Sequence, residues 1–69
     1  MPFKAESLTV RERELLISLS AGKMNKAIAR DLNISGNTVA WHLKNLFGKL
    51  GVNTRTEAAY VARRMGLIG

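Results

Sequence analysis

The sequence predicts an all-α fold, a four-helix bundle built from short helices. Hydroxyl side chains stand at three places where a helix would begin, and two of these places carry the T-x-x-E pattern of a capping box. Apolar residues then recur at helical spacing, and glycines follow three of the four segments, as they commonly do at helix ends. No segment shows the alternation of apolar and polar residues that is typical of a strand. The length of 69 residues allows one domain with one small core.

The first helix is predicted to begin at Thr9, which forms a capping box with Glu12. It is predicted to end near Gly22, a residue suited to the left-handed position after a helix. Its apolar stripe consists of Leu15, Leu16 and Leu19. Residues 1–7 contain the only proline and are expected to form a flexible N-terminal arm, so the domain itself is assigned to residues 8–69.

The second helix is predicted over about Asn25 to Leu32, and the third from its N-cap Ser35 to about Leu50, with Gly51 as its stop. Only about three residues separate these two helices. Because this is the length of a helix-turn-helix connection, helices two and three are expected to form that motif.

The fourth helix is predicted to begin at Thr54, in a second T-x-x-E pattern with Glu57, and to end near Gly66. One stripe of this helix is assigned to the core: Ala58, Ala62 and Met65. Four residues lie largely off that stripe and form a candidate contact surface: Thr56, Tyr60, Arg63 and Arg64. Tyr60 offers a large, rigid contact surface with a polar tip, although a tyrosine that only covers the domain edge is the simpler alternative.

The formal charge of the chain is +6. Such an excess suggests a polyanionic partner, while a surplus that only aids solubility explains the charge alone equally well. The distribution is more informative, because no acidic residue occurs from Leu32 to Thr56, where Lys44, Lys49 and Arg55 are found. This segment contains the third helix and holds nothing that would repel a phosphate.

Several protein classes are disfavoured by the composition. The absence of cysteine removes disulfides and thiolate metal sites. The sequence offers no paired carboxylates, glycine-rich phosphate loop or nucleophile–base set, so neither enzymatic activity nor a cofactor is expected. No apolar run approaches the roughly 20 residues of a membrane span, and the first residues lack the apolar stretch of a signal peptide. A cytoplasmic protein without a membrane partner is therefore expected.

The third helix is predicted to have two different faces. At 3.6 residues per turn, its core face consists of Val39, Leu43, Leu46, Phe47 and Leu50. The other side carries no acid and consists of Asn37, Ala40, Trp41, Lys44, Asn45 and Gly48. Trp41 lies two positions from both Val39 and Leu43, so it cannot share their face. An exposed tryptophan beside a lysine is more typical of a contact residue than of a core residue.

In a helix-turn-helix the second helix of the pair enters the major groove of DNA. Lys44 can donate to guanine or to a phosphate, Trp41 can contact a thymine methyl group or sugar carbons, and Asn37 can contact a base or the backbone. Plain solvation of Lys44 and turn chemistry at Asn37 are the alternatives. The candidate DNA-backbone contacts lie at the start of helix two and along helix three: Lys23, Asn25, Lys26, Ser35, Thr38, His42 and Asn45. A cap alone would explain Ser35, and packing at the core edge would explain His42.

Four motifs of the chain carry a family resemblance: LT-x-RE-x-E-LL, NK-x-IA, IS-x-NTV-x-x-HL-x-N-x-x-x-KLGV and R-x-x-A. From Leu8 to Ile68 the sequence resembles the LuxR-type helix-turn-helix domain, also called the FixJ/NarL type. Within that family the motifs are most similar to the C-terminal domains of MalT-like transcription activators, with response regulators and quorum-sensing receptors as close alternatives. The resemblance implies four helices with the third as recognition helix, and dimers formed chiefly through the fourth helix.

The resemblance also implies which residues read DNA bases: Ala40, Trp41 and Lys44. The family often has lysine where this chain has Ala40, so one donor is missing here. It usually has Ser or Thr where this chain has Met24, which predicts a second helix that begins only at Asn25 or is frayed. Family motif positions further suggest an ionic contact between Glu14 and Arg55, with two ordinary surface charges as the alternative.

Two functions are compatible with these features. The first is sequence-specific binding of double-stranded promoter DNA and regulation of transcription, as a dimer on inverted half-sites. RNA polymerase is a further candidate partner in that case. The second is a basic helical protein-interaction module that pairs through its fourth helix. Full-length members of the family usually carry a sensor or receiver domain ahead of this module.

Overall fold

The computed structural model describes residues 8–68 and contains four helices in that range, with no strand. They are α1 (Val10–Ser20), α2 (Asn25–Leu32), α3 (Gly36–Leu50) and α4 (Arg55–Arg64). The all-α prediction is confirmed, with α2 and α3 forming the helix-turn-helix. The arm predicted for residues 1–7 lies outside the described residues, as does Gly69.

Side-chain caps define the starts of α1, α3 and α4, as the sequence predicts. Thr9 and Glu12 form a complete capping box, in which each side chain accepts a hydrogen bond from the backbone of the other, at 3.1 and 2.9 Å. Ser35 accepts from the backbone N–H of Thr38 at 3.0 Å. Thr54 accepts from the N–H of Glu57 at 3.1 Å. The second T-x-x-E pattern differs in one detail, because the Glu57 carboxylate accepts from the N–H of Asn53, one residue before the cap.

Helix α2 begins at Asn25 without such help, because its N-cap Met24 makes no side-chain hydrogen bond. Tertiary packing replaces the cap, since Ile28 is fully buried. The helix ends at Asn33, which has a φ of 56°, in the left-handed region that asparagine tolerates better than most residues. The N–H of Ile34 then returns to the carbonyl of Ala29 at 3.0 Å and closes the turn between the two helices.

One core joins all four helices, and α1 contacts each of the other three. Its buried residues are Leu8, Leu15, Leu16, Leu19, Ile28, Ala29, Val39, Leu43, Leu46, Ala58 and Ala62. Met65 packs against this cluster while remaining half-buried. Because Val39 and Leu46 point into the core, the opposite side of α3 is turned to solvent.

The ionic contact between α1 and the rest of the fold differs from the predicted one. Glu12 is only 7% exposed, and its Oε1 accepts a hydrogen bond from Nζ of Lys49 at 2.7 Å. Glu14 lies two positions further round the helix, faces solvent and has Arg11 at 3.9 Å. Arg55 donates instead to the start of α2. The predicted Glu14–Arg55 pair is therefore wrong, because helical phase gives the inward position to Glu12.

Burial by itself disfavours the charged form of Glu12. The hydrogen bonds from Lys49 and from the backbone of Thr9 outweigh that effect, together with the positive charge of Lys49, and they hold the pKa of Glu12 below its ordinary value. A carboxyl group whose pKa is lower in the folded state takes up its proton more readily when the chain is unfolded. Its contribution to stability is therefore present above its ordinary pKa and is lost as pH falls through the pKa of the folded state.

We predict that Glu12→Gln lowers the free energy of unfolding by about 1–3 kcal/mol near neutral pH, because a neutral amide replaces the nearly buried carboxylate that accepts from Lys49. The difference from wild type should shrink as pH falls from about 6 to about 3, because the unfolded wild-type chain then takes up a proton at Glu12 that the folded state resists. Urea unfolding followed by circular dichroism across this pH range measures both effects. A difference that stays constant over the whole range would contradict the assignment.

Candidate nucleic-acid interface

The outward side of α3 carries the predicted base-contact residues. Trp41 is 61% exposed, and the same side exposes Asn37, Ala40 and Lys44. Asn45 is exposed as well. The prediction that Trp41 cannot share the core face is confirmed by the burial of Val39 and Leu43. The aromatic surface of Trp41 and the side chain of Lys44 are thus exposed on α3, whose other side is buried in the core.

His42 lies next to this surface and is half-buried. Its ring meets the ring of Trp41 edge to face, with the centroids 5.0 Å apart and the planes at 67°. A DNA-backbone contact and packing at the core edge are both compatible with a half-buried ring in this position, so the role of His42 stays a prediction.

Two hydroxyl groups meet at the start of α3. The Oγ atoms of Ser35 and Thr38 lie 2.8 Å apart, and Ser35 also accepts from the backbone of Thr38. One of the hydroxyls donates in the contact between them, which leaves the hydrogen of the other for an external acceptor. Capping and anion binding at this helix start are therefore compatible.

The three predicted backbone contacts at the start of α2 have different environments. Lys26 is exposed, and among residues 8–68 it forms no ion pair. Nζ of Lys23 lies 2.5 Å from Oδ2 of Asp31, and this hydrogen bond lowers the pKa of Asp31. Asn25 is half-buried and accepts a hydrogen bond from Arg55. Of the three, only Lys26 is a cation with no acidic partner in the described part of the chain.

An open groove of about 550 Å³ runs between the outward edge of α3 and the starts of α2 and α4. It brings together three predicted contacts, Asn25, Ala40 and Lys44, and adds two residues that the sequence did not place there, Asn53 and Arg55. The remaining lining residues are Leu43, Phe47, Gly48 and Val52. The sequence feature that could have identified Asn53 and Arg55 is the acid-free segment from Leu32 to Thr56, which contains both residues.

The outer side of α4 carries the candidate dimer residues, and all four are exposed: Thr56, Tyr60, Arg63 and Arg64. The guanidinium of Arg64 lies 6.0 Å from the centroid of the Tyr60 ring, and Tyr60 itself is 59% exposed. Ala58 and Ala62 are fully buried on the opposite side, as predicted. The helix therefore has one face in the core and one face with no covering element in residues 8–68.

Residues 8–68 contain no group of three or more His, Cys, Asp or Glu side chains that could hold a metal ion. Within the same residues, no helix is both long enough and apolar enough to cross a membrane.

Comparison with known proteins adds an independent finding. The family model described as bacterial regulatory proteins, luxR family, matches residues 6–62. The probable transcriptional regulatory protein SgaR of Hyphomicrobium methylovorum is 58% identical over 53 residues, which cover 77% of this chain and 25% of that protein.

Two further relatives are the transcriptional regulatory protein LiaR of Bacillus subtilis and the HTH-type transcriptional regulator AlkS of Alcanivorax borkumensis. LiaR is 46% identical over 63 residues, covering 91% of this chain and 30% of LiaR. AlkS is 42% identical over 62 residues, covering 90% of this chain and 7% of AlkS. The chain thus spans less than a third of the length of each of these relatives.

Proposed function

This chain belongs to the luxR family of bacterial regulatory proteins, whose helix-turn-helix binds DNA in the regulation of transcription, and we propose that it docks α3 into the major groove of promoter DNA. The observation that carries the proposal is the outward side of α3, where Trp41 and Lys44 are exposed on a surface without acidic residues. A major groove of about 12 Å admits one α-helix, and the buried side of α3 holds that helix in place.

Base readout is assigned to Ala40, Trp41, Lys44 and Asn37. Lys44 donates to O6 or N7 of a guanine, and the indole of Trp41 packs on a thymine methyl group or on sugar carbons. Ala40 has no donor and permits only close apolar contact, so the base opposite it is selected by shape or by a methyl group.

Backbone contacts are assigned to the starts of α2 and α3 and to the flank of α3, at Lys23, Asn25, Lys26, Ser35, Thr38, His42 and Asn45. These groups are cations or hydrogen-bond donors, which suit phosphate oxygens. The start of α2 supports the assignment, because Met24 leaves the first amides of that helix without a side-chain cap. RNA polymerase is the proposed second partner, since a regulator bound at a promoter acts on that enzyme, and the bacterial cytoplasm is the proposed location.

Self-association is assigned to the outer face of α4. This face consists of four exposed residues on a helix of ten residues. Stable interfaces usually bury more than about 1,000 Å² in total, which so small a patch does not supply. We therefore propose a monomer or weak dimer in solution and a two-fold pair on inverted half-sites about one DNA turn apart.

We predict that Trp41→Ala and Lys44→Ala each weaken binding to a duplex selected from a random-sequence pool, with a loss of about 1–3 kcal/mol for Lys44→Ala where it meets a guanine. The fold should be kept, because both side chains point away from the core. Fluorescence anisotropy with the selected and a scrambled duplex measures the effect. Arg11→Ala is the control, because it also removes one cation but lies on α1. Wild-type affinity in both α3 variants would show that this side does not read DNA.

We predict that Lys26→Ala weakens binding to all duplexes about equally and reduces the slope of log K against log salt by about one unit, because one phosphate contact is lost. Lys23→Ala should reduce the slope less, since Asp31 already offsets part of that charge. Titrations of both variants at four salt concentrations measure the slopes. An unchanged slope for Lys26→Ala would mean that this lysine is merely solvated.

We predict that Tyr60→Glu abolishes cooperative binding to a paired site while leaving affinity for a single half-site unchanged. The variant loses the ring that the two copies of α4 would pack together, and the carboxylate that replaces it must be desolvated for the contact to form. Gel-shift titrations on paired and single half-sites measure cooperativity, with Ile17→Glu on the exposed side of α1 as the matched control. Absent cooperativity in wild type, or cooperativity that persists in Tyr60→Glu, would show that α4 is not the dimer face.

A further inference from the structure

Arg55 connects the first turn of α4 to the start of α2. Its Nη1 donates to the backbone carbonyl of Lys23 at 3.1 Å, and its Nη2 donates to Oδ1 of Asn25. These partners are 32 and 30 residues away in sequence, and Arg55 is half-buried between the two helices. One planar guanidinium therefore holds both the turn before α2 and the first side chain of α2.

The chemistry of this contact fixes the orientation of the Asn25 amide. A guanidinium has five N–H donors and no acceptor, so the amide must turn its oxygen towards Arg55. Nδ2, with its two donors, is then the end of Asn25 that is available to another molecule. An asparagine without this partner could present either end.

The position of Asn25 suggests what Nδ2 meets. Asn25 and Arg55 line the same groove as Ala40 and Lys44, on the outward edge of α3. A DNA phosphate oxygen accepts hydrogen bonds and cannot donate one. It therefore binds an amide that presents Nδ2 and is repelled by one that presents Oδ1.

We infer that Arg55 is a positioning residue for DNA binding, which holds Asn25 with Nδ2 towards a backbone phosphate of the bound duplex. The inference rests on the proposed docking of the α2–α3 pair on DNA. Arg55 acts here through a neutral amide rather than through its own charge. The two competing roles are a direct contact of Arg55 with phosphate and a purely structural link between α2 and α4.

The test is a double-mutant cycle on the selected duplex with Asn25→Ala, Arg55→Ala and the double variant, with each affinity referred to the fraction folded by circular dichroism. We expect losses of about 5- to 20-fold for Asn25→Ala and about 3- to 10-fold for Arg55→Ala. The double variant should bind no more weakly than Asn25→Ala, because Arg55 acts through that residue. Multiplicative losses in the double variant would overturn the inference.

Salt dependence separates the direct contact from the positioning role. Loss of a phosphate-bound cation lowers the salt slope by about one unit, whereas loss of positioning at a neutral amide leaves it near the slope of the Arg11→Ala control. A drop of one unit in Arg55→Ala would assign the phosphate contact to Arg55 itself and overturn the inference. Wild-type affinity per folded molecule in Arg55→Ala would show that Arg55 only links α2 and α4 structurally, and would also overturn the inference.

Arg55→Lys provides a second variant should Arg55→Ala unfold. It keeps the charge but lacks the planar fork that spans two acceptors, so DNA affinity should still fall by about 3-fold or more. Wild-type affinity in Arg55→Lys would overturn the inference. Lys44→Ala, measured beside these variants, tests the docking of α3 separately. If Lys44→Ala loses DNA affinity while the losses of Asn25→Ala and Arg55→Ala multiply in the double variant, only the role of Arg55 is rejected. No binding by the wild-type protein would reject both.

Discussion

The Oε1 atom of Glu12 accepts hydrogen bonds from two sources, the backbone N–H that opens α1 and the ammonium group of Lys49 near the end of α3. A nearly buried carboxylate cannot be left half-satisfied without a large desolvation cost, so both contacts form together. The first turn of α1 is thereby linked to the last turn of α3. Because the apolar side of α3 packs on the same α1, this anchor restricts both the tilt and the rotation of the exposed side of α3.

The parts of the fold that depend on local interactions were predictable from sequence. Thr9, Ser35 and Thr54 cap the three helices at which a hydroxyl was found, because a cap and its partner are only three residues apart. The exposure of Trp41 followed from helical phase, which needs no knowledge of the other helices. Positive φ at Gly51 likewise follows from its place after the last turn of α3.

The parts that depend on contacts between distant segments were not predictable in the same way. The sequence presents two glutamates on α1, and only the packed structure decides that Glu12 meets Lys49 while Glu14 stays in solvent. The partners of Arg55 are backbone and amide oxygens, and such pairs leave no charge pattern in the sequence. The pairing of Lys23 with Asp31 across α2 is similar, because a surface lysine can reach several acids. The positions of the candidate DNA contacts could thus be predicted from the sequence. The residues of the same chain that bind those side chains could not.

The chain contains a single tryptophan, and that residue stands on the outward side of α3 rather than in the core. Its fluorescence emission in the folded protein comes from an indole already in contact with water, so unfolding changes the emission wavelength little. Contact with stacked bases or sugars removes that water and quenches or shifts the emission. We therefore expect the emission of Trp41 to report occupancy of the α3 surface without any attached dye, once the change caused by separation of the indole from His42 on unfolding is measured by itself.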